Sequence, residues 1–126
     1  MKRCMPAFLF LCIQTVPVFA HHSFPATYLV NEETEVTGEV VAFLYRNPHA
    51  TIQVMVAQPD GEKVRYLIEW AGAANLANTG VNRGTLISGD TLVIRGNPGR
   101  NESDHRMRLL SVTRPSDGWT WGEDYE

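Results

Sequence analysis

Two adjacent histidines, His21 and His22, are the residues whose position most directly suggests chemistry. The chain has only four histidines among its 126 residues, and these two directly follow the stretch VPVFA. If the chain is cut after Ala20, His21 becomes residue one and offers two nitrogen ligands, its free α-amine and its ring. The pKa values of these groups, about 7.7–8.0 and 6.5, let both deprotonate near neutral pH with little penalty. A histidine at residue one can therefore chelate a metal ion.

His49, in the stretch RNPHA, is the candidate for a third nitrogen ligand. Nitrogen ligands with an open coordination position suit copper best among the divalent ions. The predicted arrangement is a histidine brace, made of the amine and ring of His21 and the ring of His49. His21 would reach His49 if the chain turns at VNEET, so that His21 to Leu29 runs back alongside the first strand. Nine extended residues cover about 30 Å, which matches the span from Thr34 to Leu44.

The remaining histidines are further candidates. His105 ends the polar loop NPGRNESDH, which in an OB-type barrel flanks the same face as the loop of His49. The ring of His22 points away from that of His21 on an extended segment, although His22 can still bind copper through its ring, its amide and the terminal amine. The alternatives are solvated residues at a new terminus for His21 and His22, a turn-bonding residue for His49, and a solvated loop residue for His105.

The first 20 residues predict a signal peptide. Two cations precede an apolar run, and Val18 and Ala20 place short side chains before the expected cut. The apolar run is shorter than the roughly 20 residues of a spanning helix, so no membrane insertion is expected after cleavage. Both cysteines, Cys4 and Cys12, lie in this leader, which leaves the mature chain without a disulfide or a thiolate ligand. We expect a periplasmic or secreted protein.

The mature chain is acidic. Loss of Lys2 and Arg3 from the 11 Lys and Arg leaves nine cations against 14 Asp and Glu, a net charge of −5 with histidines neutral. An acidic surface repels phosphate groups, which argues against nucleic acid and anionic membranes as partners. The expected partner is a metal ion, a small ligand or another exported protein.

The hydrophobic pattern predicts a small β-barrel. The stretches TEVTGEVVAFLYRN, ATIQVMVAQ and KVRYLIEW alternate with period two, and Gly38 in the first of them marks an expected bend or bulge. AGAANLANTG then predicts a short helix closed by Gly80, and TLVIRG and RMRLLSVTR add two strands. Three strands, a helix and two strands follow the order of a five-stranded OB-like barrel. A generic small barrel or sandwich is the alternative.

Four segments are expected along the chain. They are a signal peptide over residues 1–20, an N-terminal extended segment over 21–32, the all-β, OB-like antiparallel barrel with one short helix over 33–114, and a C-terminal tail over 115–126. In the tail we expect Trp119 to pack on a barrel edge and the last residues to fray. Ligand stacking is the alternative for Trp119 and Trp121.

Several of these stretches together resemble a family of small exported bacterial proteins that carries a domain-of-unknown-function label. They are HHSF after the signal peptide, VTGEVVAFLYRNPHA, the PDG turn, VNRGTL and SGDTLVIRG. The resemblance runs from His21 to about Trp119, and it implies an exported setting and one compact β-domain but no reaction. Its histidine motifs fall on His21, His22 and His49. Thr51 follows the NPHA motif where the family often has an aromatic or aliphatic residue, so no stacking role is expected there.

Three functions are consistent with this sequence. The first is a small exported copper-binding protein that holds, delivers or sequesters the metal through His21 and His49. The second is a non-catalytic OB-like module that binds a small ligand or another exported protein through its barrel face. The third, a copper oxygenase, ranks last because residues 21–126 offer little surface to hold a polymer near the metal. No catalytic residue is identified, and binding is favoured over enzymatic activity.

Overall fold

The computed structural model describes residues 23–122 and shows a mostly β protein. Its six strands are β1 (Thr34–Leu44), β2 (Thr51–Ala57), β3 (Lys63–Glu69), β4 (Thr91–Pro98), β5 (Arg106–Arg114) and β6 (Trp119–Gly122). Two short helices, α1 (Phe24–Thr27) and α2 (Ala73–Ala77), and a 3-10 turn at Glu102–Asp104 complete the elements. None of the helices within residues 23–122 has the length and apolar character needed to cross a membrane. The predicted signal peptide lies outside the described residues, and so do His21 and His22, which follow it.

The first five strands close into a barrel. β1 pairs antiparallel with both β2 and β4, β2 pairs with β3, and β4 pairs with β5. The barrel closes through β3 and β5, which run parallel over residues 67–69 and 106–108. The predicted small all-β barrel, with α2 between β3 and β4 in the chain, is therefore confirmed. Its closing pair is parallel rather than antiparallel, a pairing between distant segments that alternation along one strand cannot indicate.

A β-bulge at Val41 reverses the two faces of β1. Residues up to Val40 pair one to one with β2, and Val41 is the extra residue that has no pair. One inserted residue moves every following side chain to the opposite face. Phe43 consequently packs against the core, whereas Leu44 is 38 % exposed. The sequence predicts the bulge at Gly38, but it lies three residues farther along the strand. Gly38 instead allows close approach of β2, whose nearest atoms lie 3.0 Å from the site of an added Cβ.

The barrel encloses one apolar core. Its most deeply buried side chains are aliphatic, with each burial contributing about 1.5–3 kcal/mol. They include Val40, Ile52, Val54, Ile68, Leu76, Val81, Leu92, Ile94, Met107 and Val112. Helix α2 places Leu76 in this core and ends at Ala77, and Gly80 then adopts a φ of +81°. The sequence predicts that Gly80 closes the helix. Gly80 does adopt the left-handed conformation typical of such a position, three residues after Ala77.

Two segments pack on the barrel from outside. Residues 23–32, which we call the N-terminal strap, contain α1 and bridge to the end of β4 through Tyr28 and Gly99. The N–H of Leu29 donates to the Pro98 carbonyl at 2.9 Å. The strap therefore lies against the end of β4 and does not retrace β1. At the other end of the chain, the expected tail contains β6, which pairs with β5 over residues 111–114.

Candidate functional site

His49 lies in the loop between β1 and β2, and α2 holds this loop in place. Asn47 Oδ1 accepts a hydrogen bond of 3.1 Å from the N–H of Ala74, and the Asn47–Pro48 peptide is cis. Gly72 packs so closely on the loop that an added Cβ would lie 2.3 Å from the Pro48 carbonyl oxygen. A larger residue would displace the loop, so glycine is required here for His49 to keep its position.

Glu69, the last residue of β3, is the centre of the site. Its Oε1 contacts Nδ1 of His49. Its Oε2 accepts a hydrogen bond of 2.5 Å from the Tyr28 hydroxyl and lies 3.6 Å from Nη2 of Arg106. The side chain is only 14 % exposed, so these partners replace most of the water that an ionised carboxylate needs. Glu69 thus joins the loop of His49, the N-terminal strap and β5.

The contact with Glu69 determines which nitrogen of His49 is available. An ionised carboxylate can only accept hydrogen bonds, so Nδ1 of His49 carries the proton. In the neutral imidazole the lone pair is then on Nε2. Metal-binding histidines are commonly oriented in this way, with one ring nitrogen bonded to a carboxylate and the other on the metal. The side chain of His49 is 38 % exposed and so presents one accessible ligand nitrogen.

The N-terminal strap packs directly on His49. The ring of Phe24 stacks on the imidazole, with 5.5 Å between ring centroids and 18° between planes. The Arg108 guanidinium lies 4.1 Å from the Phe24 centroid, within range of a cation–π interaction. Farther along, Nε of Arg100 donates to the Pro25 carbonyl at 2.7 Å. These contacts place the start of the described chain beside His49.

Tyr28 anchors the other end of the strap. Its side chain is 1 % exposed, and its hydroxyl donates to Glu69. Burial, followed by the hydrogen bond and negative charge of Glu69, raises the pKa of Tyr28 well above its usual value of 10.0. The hydroxyl is therefore a permanent donor at neutral pH, and it ties the strap to the carboxylate that orients His49.

A cleft of about 270 Å³ opens beside His49. Two tryptophans line it, Trp70 and Trp121, which meet edge to face with 5.0 Å between centroids. Arg108 also lines the cleft, and among residues 23–122 Glu69 is the only acid that does so. The cleft thus combines apolar walls with one cation and the exposed ring of His49.

His105 lies elsewhere. It lines a different cleft, of about 530 Å³, and its ring is 5.2 Å from that of Tyr66. The two clefts have no lining residue in common. The structure therefore does not bring His105 together with His49, although both follow the ends of barrel strands.

The described part of the chain does not by itself contain a metal cluster. Within residues 23–122, no group of three or more His, Asp or Glu side chains is arranged to hold a metal ion. His21 and His22, the predicted N-terminal ligands, lie outside this range. Phe24 is three residues from His21, and three extended residues span at most about 10–11 Å. The Cα atom of His21 therefore lies no farther than this from that of Phe24.

Sequence analysis missed the residues that surround His49. Glu69, Tyr28, Arg106 and Arg108 are all absent from the predicted site. The sequence holds only a weak signal for them: Glu69 is a lone acid between Ile68 and Trp70, and the stretch RMR places two arginines on one face of a strand. An acid and two cations on the outer face of neighbouring strands indicate a charged surface that another segment can cover.

The comparisons with known proteins give a family but no activity. Residues 9–108 match a family of unknown function, DUF6152. This range contains the N-terminal strap, His49, Glu69 and Arg108. No curated protein matches the chain.

Proposed function

The chain belongs to the DUF6152 family, whose function is unknown, and we propose that it is a small exported metal-binding protein with copper as its metal. The ligands are the α-amine and ring of His21 and Nε2 of His49. The protein binds the metal in order to carry or sequester it.

The observation that carries this proposal is the stacking of Phe24 on His49. It puts a residue only three positions after His21 in contact with the ring of the predicted third ligand. A chain that begins at His21 can therefore bring its amine and its first side chain to Nε2 without moving the barrel, because about 10–11 Å of extended chain is available.

The chemistry of the available atoms favours copper. All three ligands are nitrogens, and the contact of Nδ1 with Glu69 leaves Nε2 as the ring nitrogen of His49 that can bind a metal. Divalent copper binds nitrogen ligands more tightly than the other first-row divalent ions do. Both cysteines precede the expected cleavage site, so no thiolate competes for the metal.

The exposure of the site favours a role in carrying the metal. The side chain of His49 is 38 % exposed, so copper can enter and leave without opening of the core. Structural metal sites, by contrast, are closed by four protein ligands. Three ligands leave an open position through which a partner ligand can take over the metal.

Titration with Cu(II) tests the proposal. Protein that begins at His21 should bind one equivalent, and His49→Ala should weaken binding by more than about a hundredfold, beyond the usual loss from changes around a ligand. His105→Ala is the matched control, since it removes a histidine of the other cleft, and its affinity should equal that of the wild type. An equal loss of Cu(II) affinity in both variants, or no loss in His49→Ala, would contradict the assignment of His49 as a ligand.

A further inference from the structure

We propose that the cleft beside His49 binds a small organic carboxylate, with the carboxylate on Arg108 and the apolar part against Trp70 and Trp121. This site takes a ligand of a different class from copper and needs no metal.

Arg108 lies in the cleft without a carboxylate partner among residues 23–122. Four arginine–carboxylate pairs and the His49–Glu69 contact join residues of the described range, and none of them includes Arg108. Phe24 covers one face of the guanidinium at 4.1 Å. A stacked guanidinium keeps its N–H donors in its own plane, where an aromatic ring cannot accept them. Arg108 thus presents unused donors that suit the two oxygens of a carboxylate.

Glu69 cannot serve as the partner of Arg108. Among residues 23–122 it is the only acid that lines the cleft, and both of its oxygens are engaged by His49, Tyr28 and Arg106. Within that range, no second carboxylate in the cleft compensates the charge of Arg108. In a chain whose net charge is −3, a cleft with a spare cation is a local exception that attracts an anion.

The size and walls of the cleft determine the kind of anion. The cleft of about 270 Å³ is slightly smaller than the roughly 300–1,000 Å³ of ordinary ligand pockets, which favours a small ligand such as one ring that carries a carboxylate. Trp121 offers aromatic surface to such a ring, and the nearly buried Trp70 and Leu109 add the small part of their surface that faces the cleft. One cation with apolar walls favours a singly charged organic acid over a phosphate, which carries more charge and more hydration.

Benzoate is a suitable probe, and benzyl alcohol is its neutral counterpart. Protein stripped of metal with EDTA is titrated with each compound by isothermal titration calorimetry. Benzoate should bind with saturation at one site, and benzyl alcohol about tenfold more weakly, because the alcohol lacks the charge that Arg108 recognises. Equal affinities for the two compounds, or no saturable binding at millimolar benzoate, would overturn the proposal.

Two variants separate the parts of the site. Arg108→Gln should lose the preference for benzoate and leave benzyl alcohol unchanged, whereas Arg65→Gln, an exposed arginine on the same sheet, should behave as wild type. Trp121→Leu should weaken the binding of both compounds by a similar factor. This second variant tests the apolar part of the site independently, in case Arg108→Gln disturbs Phe24. Benzoate affinity that survives Arg108→Gln would exclude the assigned contact. Because metal is absent throughout, failure here and failure of copper binding are distinguishable.

Discussion

The two ends of β5 both carry arginine clusters, and they differ in what remains unpaired. At the C-terminal end, the Arg114 guanidinium donates four hydrogen bonds of 2.7–3.1 Å, to Asp90, to both oxygens of Asp117 and to the Thr85 carbonyl. The hydrogen bonds and charges of Asp117 and Asp90 raise the pKa of Arg114, and Arg114 lowers that of Asp117. Four of the five N–H donors of Arg114 are thus used within the protein.

At the N-terminal end, the charges are only partly paired. Arg106 and Tyr28 satisfy Glu69, which orients His49. Neither Nε2 of His49 nor the guanidinium of Arg108 has a hydrogen-bond or carboxylate partner among residues 23–122.

The two clusters differ in how many of their polar groups remain without a partner in the protein, which distinguishes a structural cluster from a binding site. Arg114 fastens the loop before β4 and the turn after β5 to the barrel, and four of its five N–H donors are used within the protein. The cluster around Glu69 uses both carboxylate oxygens internally but leaves a ring nitrogen and a cation beside a cleft. We therefore propose a structural role for the first cluster and ligand binding for the second.

Among changes to the two clusters of β5, the largest effect is expected for Glu69→Gln. The substitution keeps the shape of the side chain but removes the charge that orients His49, so copper affinity should fall by about tenfold to a hundredfold. Titration with Cu(II) measures this loss. Glu35→Gln, an equal charge change at an exposed position of β1, is the control and should leave affinity unchanged. A similar loss in both variants would mean that overall charge, and not orientation of the ring, determines affinity.

Arg114→Met tests the opposite end of β5. It leaves the Asp90 carboxylate, which is 15 % exposed, without its cation, so the free energy of unfolding should fall by about 2 kcal/mol. Urea denaturation measures this change, and Cu(II) titration of the same variant should give wild-type affinity. If copper binding weakens along with stability, the functional division between the two clusters is wrong.

Tyr28→Phe tests the anchor of the strap through pH. The pKa of Tyr28 is raised in the folded protein, so its stabilising effect is complete below the unfolded pKa of 10.0 and is lost as pH rises above it. There the unfolded chain has released a proton that the folded chain keeps, and stability should fall by about 1.4 kcal/mol per pH unit. Thermal melts between pH 8 and about 11 should show a shallower alkaline decline in Tyr28→Phe than in the wild type. Parallel profiles would exclude Tyr28 as the cause.

The smallest effect is expected for Asp117→Asn. Asp117 is exposed, and solvent screens its pair with Arg114. Its pKa is lowered by Arg114, so the contribution is present at neutral pH and is lost as pH falls through the acid range. The melting temperature should therefore drop slightly at pH 7 and coincide with that of the wild type in acid. A difference that persists in acid would point to the turn geometry instead of the charge pair.

Alternation of apolar residues was sufficient to predict the strands. The five predicted strands of the barrel all exist, because period two persists wherever one face of a strand is buried. The bulge at Val41 was not predictable, since the residues on both sides of it are apolar and either face of β1 can be buried. The parallel closure of β3 on β5 depends on a contact between distant segments, which leaves no local pattern.

The candidate site was predicted only in part. His49 is identifiable because a histidine beside a proline in a turn is conspicuous. Glu69 is not, because a single acid at a strand end is usually solvated, and its role depends on Tyr28, which lies 41 residues away. The course of the N-terminal strap was predicted to follow β1 but lies against β4, although it still brings Phe24 to His49.

The central claim is that the amine of His21 and the ring of His49 bind one copper ion. Electron paramagnetic resonance of the Cu(II) protein tests it most directly, comparing protein whose mass shows that it begins at His21 with the same protein extended by one alanine. The account predicts three nitrogen ligands and tight one-to-one binding for the first, and a lost nitrogen with much weaker binding for the second. Identical spectra and affinities for the two proteins would contradict it.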